Sequence, residues 1–340
     1  MEARRVLLVG RVRVSAEFPR QTLTPTRAFA PATIGNISVG YDLLGAAVRP
    51  VDDAALGDAV EVHAAAEDSL RVTGAYGHLL DDDHSNNLVM RALHAFRQAV
   101  ASTQSRPPPP LRLVLEKGLP IGSGLGSSAC SIVAALVALN ESHGRPINPP
   151  DLLDMMGALE GTVSGTPHLD NVAPAFLGGI QLLVDEAPQR SFSIPPIAGW
   201  FWVLCHPGVV VATAAARAVM PDVFSSEETL AFGRGLGAFI HASHSGDSQL
   251  AARVLRDPLA EPRRRHLLPH LSAARSCAEA KGALATGISG SGPTVFAVAP
   301  SLEVARDVAA AFEREVVANP HGFVHVCRVD DVGARIEVIG

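Results

Sequence analysis

The stretch "IGSGLGSSAC", Ile121 to Cys130, places three glycines and three serines in ten residues between segments of opposite periodicity. Before it, Leu111, Leu113 and Leu115 alternate with more polar neighbours, the period of a half-buried strand. After it, Ile132, Val133, Leu136 and Leu139 repeat at helical spacing until Gly144 and Pro146 end the run. A strand that passes into a helix through so much bare backbone presents helix N-terminal N–H groups, which together with the helix dipole favour an anion. Gly122, Gly124 and Gly126 let the chain close around a phosphate, and Ser127 and Ser128 fall in the first helical turn, where a hydroxyl reaches a phosphate or its metal. A tight turn that merely needs small residues competes with this reading. The Walker loop is excluded because no lysine precedes the serines, and the dinucleotide fingerprint because the glycines run G-x-G-x-G rather than G-x-G-x-x-G.

Around this loop the pattern is α+β. In "FAPATIGNISVGYDLLGAAV", Gly35, Gly40 and Gly45 punctuate a strand, a polar turn and a second strand, and the turn offers Asn36 and Asp42 as site candidates. Asp81, Asp82, Asp83 and His84 read as a solvated acidic turn, and Pro107 to Pro110 as a stiff connector after a helix that starts near Asn86 and carries Leu88, Leu93 and Phe96. Asn148-Pro149-Pro150 announces another helix, with Leu152, Met155, Met156 and Leu159 on one face and Glu160 at its far end. A polar loop, "GTPHLDNVAPAFLGG", precedes a strand at Ile180 to Val184. The second half reads as a strand (Trp200 to Leu204), helices at about Ala212 to Met220 and Glu227 to His244, the turn "GISGSGPT", and a final helix and strand. Prolines gathered between Pro188 and Pro196 set a domain boundary, giving an extension at residues 1–27, a first domain at 28–190 and a second at 191–340. No internal repeat is visible.

At 340 residues the chain is long enough for two cores. Its net charge of −6, with 28 Lys and Arg against 34 Asp and Glu, argues against a nucleic-acid partner. The one basic cluster is Arg263, Arg264 and Arg265. Four scattered cysteines suggest neither a zinc knuckle nor a disulfide framework. The apolar run Val6 to Val9 is too short for a signal-peptide core, and His206-Pro207-Gly208 breaks the most apolar later stretch, so no membrane partner and a cytoplasmic location are expected. A homodimer is the default assembly.

The motif "PIGSGLGSSAC" resembles the phosphate loop of the GHMP kinases, and two other blocks fall in the family's order, "APATIGNISVGYDLLG" before it and "GISGSGPTVFAV" near the C-terminus. "HLDNVAPAFLGG" and "NISVGYDLLGAAV" resemble the branch that acts on L-homoserine, and the likeness runs from Phe29 to the end of the chain. The resemblance implies a two-domain α+β fold, with an N-terminal mixed α+β nucleotide-binding domain and a C-terminal ferredoxin-like α+β domain. It also implies ATP-dependent phosphorylation of the side-chain hydroxyl of L-homoserine, with Mg²⁺ as cofactor. Cys130 stands where the family more commonly has alanine.

Carried over position by position, the loop Pro120-Ile121-Gly122-Ser123-Gly124-Leu125-Gly126-Ser127-Ser128-Ala129-Cys130 would cradle ATP and Asn87 would contact adenine, with a helix cap as its competing role. Ser128 and Glu160 would hold Mg²⁺. Asp42 and Asn36 would receive the substrate ammonium, and Arg217 with Arg264 its carboxylate, a planar fork suiting that group better than an ammonium would. His168, Asp170 and Asn171 would surround the acceptor hydroxyl. Mevalonate kinase-like members place an aspartate there as candidate base, whereas asparagine cannot take a proton; the resemblance thus implies orientation by Asn171 and His168 without a strong side-chain base. Gly287, Gly290 and Gly292 would shape the site. Three rivals remain: a hydrolase, which the missed G-x-S-x-G spacing disfavours, another GHMP-type small-molecule kinase, and a non-catalytic nucleotide-binding regulator.

Overall fold

The computed structural model describes residues 23–80, 86–101, 109–164, 168–184 and 189–339. Most of the N-terminal extension, the acidic turn Asp81 to His84, and Pro107 with Pro108 lie outside the described residues.

Elements are numbered in chain order. A five-stranded sheet runs in the order β13 (Arg335–Glu337), β1 (Thr26–Pro31), β4 (Gly57–Ala64), β6 (Leu111–Glu116), β5 (Ser69–Thr73), antiparallel except for the parallel pair β5 and β6. The alternation read in β6 is met: Leu111, Leu113 and Leu115 are buried while Arg112 and Glu116 are exposed. On this sheet packs α2 (Ser127–Ser142), which follows the glycine loop and is enclosed in turn by α1 (Leu88–Ala101), α3 (Pro149–Ser164) and α4 (Val172–Leu177). The spacing of Ile132, Val133, Leu136 and Leu139 predicts one apolar face, but α2 is buried all round, with Ala134, Ala135 and Ala138 allowing close approach on the other sides. A helix with no wet face is a central one. As the sequence suggests, Asn148 caps α3, its side-chain carbonyl accepting from the Asp151 N–H at 3.0 Å.

The second sheet holds β10 (Ala285–Ile288), β11 (Val295–Ala299), β9 (Phe201–His206), β12 (Phe323–Val329), β3 (Leu44–Pro50), β7 (Ile180–Leu183) and β8 (Ser191–Ile194), in that order, with β2 (Thr33–Gly35) paired to β3. The start of β3 pairs with β7 (Leu44 opposite Leu182) and its end with β12 (Val48 opposite Val329), so this one strand joins the two halves of the chain. The expected boundary at 190/191 falls between β7 and β8, which pair antiparallel. Within the second half, β9, α9 (Leu271–Ala280), β10, β11, α10 (Leu302–Glu315) and β12 give the sheet order β12-β9-β11-β10 with helices between, the ferredoxin-like split βαβ pattern. The remaining helices are α5 (Thr213–Ala218), α6 (Ser226–Ser245), α7 (Ser248–Val254) and α8 (Glu261–Arg264); Ser225 and Glu228 form a capping box at the start of α6.

One core cluster spans the first sheet, its helices and much of the second sheet, including Phe96, Leu136, Phe239 and Phe296. A smaller one, with Val203, Leu271 and Phe312, lies between the ferredoxin-like sheet and α9 and α10. All four cysteines are buried with free thiols. Among the described residues no helix is long and apolar enough to cross a membrane.

Where the glycine loop leaves β6, a buried ion pair fixes it. The Lys117 ammonium pairs with the Asp58 carboxylate and also donates to the Ser127 carbonyl at 3.0 Å and to Ser131 Oγ at 3.2 Å. Asp58 accepts from the Gly118 and Leu119 N–H groups at 2.9 and 3.1 Å and from Ser131 Oγ at 2.6 Å. Neither side chain has more than 3% exposure, so each charge depends on the other. Asp58→Ala leaves Lys117 uncompensated and is expected to cost about 3–5 kcal/mol of unfolding free energy. The double variant Asp58→Leu with Lys117→Met should be less destabilised than the single one, which denaturant midpoints will show.

Candidate active site

Between the glycine loop, the β2–β3 turn, the start of α4 and the segment around α5 lies a cleft of about 560 Å³. Its floor is the N-terminus of α2. Gly126 is the N-cap residue, with φ 70° and no side-chain cap, so the first N–H groups of α2 open on the cleft. Gly122 and Gly124 also have positive φ, at 65° and 78°.

The loop is held from both halves of the chain. Thr33 N–H donates to the Leu125 carbonyl at 3.1 Å, Thr294 N–H to the Ser123 carbonyl at 3.2 Å, and Ser289 Oγ to the Gly124 carbonyl at 2.7 Å. A Cβ on Gly124 would lie 2.5 Å from the Ser289 carbonyl oxygen and 2.7 Å from that of Gly292. The turn carrying Gly287, Gly290 and Gly292 therefore packs directly on the phosphate loop. Ile121, Gly122, Ser123, Gly124, Gly126, Ser127 and Ser128 line the cleft, whereas Leu125, Ala129 and Cys130 are packed in the core, Cys130 Sγ donating to the Pro31 carbonyl; Pro120 is buried. The Ser127 hydroxyl donates away from the cleft, to the Leu119 carbonyl at 3.3 Å.

On one flank Ser128 Oγ donates to Glu160 Oε1 at 2.7 Å, and burial raises the Glu160 carboxyl above its ordinary range. Two hard oxygen donors beside a helix N-terminus fit a cation of the Mg²⁺ kind, which takes one or two protein oxygens and completes its shell with phosphate and water. Among the described residues no cluster of three or more His, Cys, Asp or Glu forms a closed metal cage. Asn87 lines the same end of the cleft, and its Oδ1 accepts from the Val89 N–H at 2.9 Å, the capping role that competes with adenine contact. Leu80, Leu88 and the exposed Ile121 and Val163 give that end an apolar rim.

The other flank is charged. Arg217, on α5, meets Asp42 through both terminal nitrogens, at 3.1 and 3.3 Å. The sequence assigns these two side chains to opposite charges of a substrate; the structure pairs them with each other. Asn36 has both amide ends engaged, Oδ1 accepting from the Asp42 N–H at 2.9 Å and Nδ2 donating to the Gly290 carbonyl at 3.3 Å. Of the arginine triplet, Arg264 points inward: it is 3% exposed, donates to the Ala216 and Gly290 carbonyls and lies over the Tyr41 ring. Arg263 instead pairs with Glu228 and Arg265 with Glu261. His168 Nδ1 stands 3.9 Å from Asp42, and burial lowers its pKa, favouring the neutral ring.

Asn171 begins α4 without capping it; its Oδ1 accepts from Thr33 Oγ1 at 2.8 Å and its Nδ2 donates to Asp170 Oδ2 at 3.1 Å. Asp170 is buried, and burial followed by the nearby Asp42 charge pushes its carboxyl up to about 7. Asp58, Lys117 and Thr33 are the site residues that sequence reasoning missed; Lys117 directly follows the alternating run Leu111 to Glu116, but nothing in its spacing names Asp58 as its partner.

The Asp170 carboxyl yields a pH prediction. Unfolded, it releases its proton near the ordinary 3.8; folded, it holds it to about 7. Its penalty on stability is therefore absent below about pH 4, grows as pH rises, and is complete above about 7. Asp170→Asn removes that titration, so its unfolding midpoint relative to the parent should rise between pH 5 and pH 8. A difference that stays flat across that range contradicts the assignment.

Comparison with known proteins gives a concordant result. The family model described as the GHMP kinases N-terminal domain matches residues 87–179, and that of the GHMP kinases C-terminal domain residues 232–319. The chain is similar to a crystal structure of homoserine kinase from Cytophaga hutchinsonii, at 30% identity and TM-score 0.83, over 94% of this chain and 100% of that one. A putative homoserine kinase from Listeria monocytogenes (23% identity, TM-score 0.67, 92% and 100% covered) and an L. major mevalonate kinase solved with R-mevalonate (16%, 0.68, 93% and 99%) share the fold.

Proposed function

This chain belongs to the GHMP kinases, and on that premise we propose that it transfers the terminal phosphoryl group of ATP to the side-chain hydroxyl of L-homoserine. One observation carries the choice of acceptor: Asp42 and Arg217 set one anion and one guanidinium side by side in the cleft, backed by the buried Arg264. An α-amino acid brings the complementary pair of charges. Its ammonium replaces Arg217 at Asp42, and its carboxylate replaces Asp42 at the guanidinium groups. An alcohol without both charges would have to separate the ion pair with nothing to offer in return. The 30% identity to a homoserine kinase over nearly the whole chain supports the same reading.

On the other flank, the N-terminus of α2 and the glycine backbone receive the ATP phosphates, and the apolar rim receives the base. Ser128 and Glu160 would hold Mg²⁺, which when bound neutralises phosphate charge. The acceptor oxygen bonds to phosphorus as the β–γ bridging bond breaks, and the hydroxyl proton leaves to a phosphoryl oxygen or to solvent. A loose transition state of this kind asks for orientation more than for a base, the service Asn171 and neutral His168 are suited to give.

ADP release with ATP and Mg²⁺ tests the proposal on L-homoserine, L-serine, mevalonate and galactose. Turnover confined largely to L-homoserine is expected. Turnover on mevalonate or galactose, which lack the paired ammonium and carboxylate, would assign a different GHMP acceptor, and none on any would favour the regulator. Asp42→Asn should raise KM for L-homoserine roughly 10- to 100-fold, equivalent to about 1.4–2.7 kcal/mol, with little change in KM for ATP. An unchanged KM for L-homoserine would remove Asp42 from the ammonium site.

A further inference from the structure

Thr33 lies on β2, is wholly buried, and touches both working parts of the cleft. Its N–H donates to the Leu125 carbonyl in the glycine loop at 3.1 Å, and its hydroxyl donates to Asn171 Oδ1 at 2.8 Å. Between these contacts sits Gly126. A Cβ there would lie 2.2 Å from Thr33 Oγ1 and 3.2 Å from Asn171 Oδ1, so the hydrogen bond passes directly over the N-cap of α2. This is a second reason, beside its φ of 70°, for glycine at that position.

We infer that Thr33 is a positioning residue for phosphoryl transfer, holding the Asn171 amide in register with the phosphate loop. The argument is one of valence. Nδ2 donates one hydrogen to Asp170 Oδ2 at 3.1 Å, which leaves Oδ1 as the end that accepts the Thr33 hydroxyl hydrogen at 2.8 Å. The second Nδ2 hydrogen is then the donor that Asn171 offers to the cleft it lines. Without the Thr33 hydroxyl, Oδ1 loses its donor and the amide is free to turn over, presenting an acceptor where a donor belongs. The inference rests on the proposed reading of Asn171 as the group that orients the acceptor hydroxyl.

The experiment compares wild type, Thr33→Val, Thr33→Ser, Asn171→Ala and the double variant Thr33→Val with Asn171→Ala, in steady-state turnover and thermal unfolding. Valine keeps the shape and removes the donor; serine keeps the donor. Thr33→Val should lower kcat roughly 10- to 100-fold with KM for ATP within about threefold, the scale expected when a substrate-orienting group is misplaced. Thr33→Ser should restore kcat to within about threefold of wild type. In the Asn171→Ala background, Thr33→Val should have no further effect on kcat, because the two residues act as one unit. A merely structural role predicts instead that the two losses multiply and that kcat follows the unfolding temperature. That pattern, or a Thr33→Val enzyme with kcat within twofold of wild type, overturns the inference. The substrate reading is judged separately, on wild type alone: if another acceptor of the panel is the one phosphorylated, that reading fails while the Thr33 comparison is made on that acceptor.

Discussion

Asp58 and Lys117 form a charge pair with almost no access to water, and the position of the phosphate loop depends on it. Asp58 comes from β4 and Lys117 from the end of β6, and the pair captures the Gly118 and Leu119 N–H groups that lead into the loop as well as Ser127 and Ser131 in the first turns of α2. The helix N-terminus is thereby tied to the sheet at the point where its unpaired N–H groups face the cleft. The arrangement also settles the electrostatics of the floor. Lys117 borders the cleft, but its charge is spent on Asp58, so attraction for an anion falls to backbone N–H groups and the helix dipole. A glycine-rich loop suits that division of labour, because bare backbone brings those groups closest to a phosphate.

The charged flank of the cleft is built by strain rather than by regular structure. Asn36, Ile37, Ser38 and Asp42 all have positive φ, between 46° and 68°, a conformation that side-chain-bearing residues adopt at a cost of order 1–3 kcal/mol each. Their surroundings compensate. The Gly35 carbonyl accepts from the Gly290 N–H at 3.0 Å, the Asn36 side chain bridges the Asp42 N–H and the Gly290 carbonyl, and Arg264 reaches the same carbonyl from α8. Asp42 is aimed at the cleft because residues far along the chain hold its turn in a shape it would not take alone.

This division explains what could be read from the sequence. The strand, glycine loop and helix order was legible, because period two, bare backbone and period 3.6 are local signals. So were the α+β class and the ferredoxin-like second half, through the resemblance of four ordered motifs. Pairings across the fold were not legible: Asp42 with Arg217, Lys117 with Asp58, and Thr33 with Asn171 each join positions far apart in the chain, and spacing within a segment carries no information about them. The arginine triplet was ambiguous for a related reason. At the end of α8 the packing against Tyr41 and the Gly290 turn decides which of three consecutive guanidinium groups is enclosed. The burial of α2 on every side was hidden by its alanines, which are as acceptable on a surface as in a core.

The seating of Gly124 against the Ser289 to Gly292 turn carries a consequence for cooperativity. Residues separated by nearly half the chain share one layer of backbone there, with no side chain between them to act as a spacer. Loosening the C-terminal sheet thus strips the hydrogen bonds from the carbonyls of Ser123 and Gly124, and loosening the first half removes the surface on which that turn is seated. The shape of the glycine loop is a property of the assembled chain, supported from one side by Thr33 and from the other by Ser289 and Thr294.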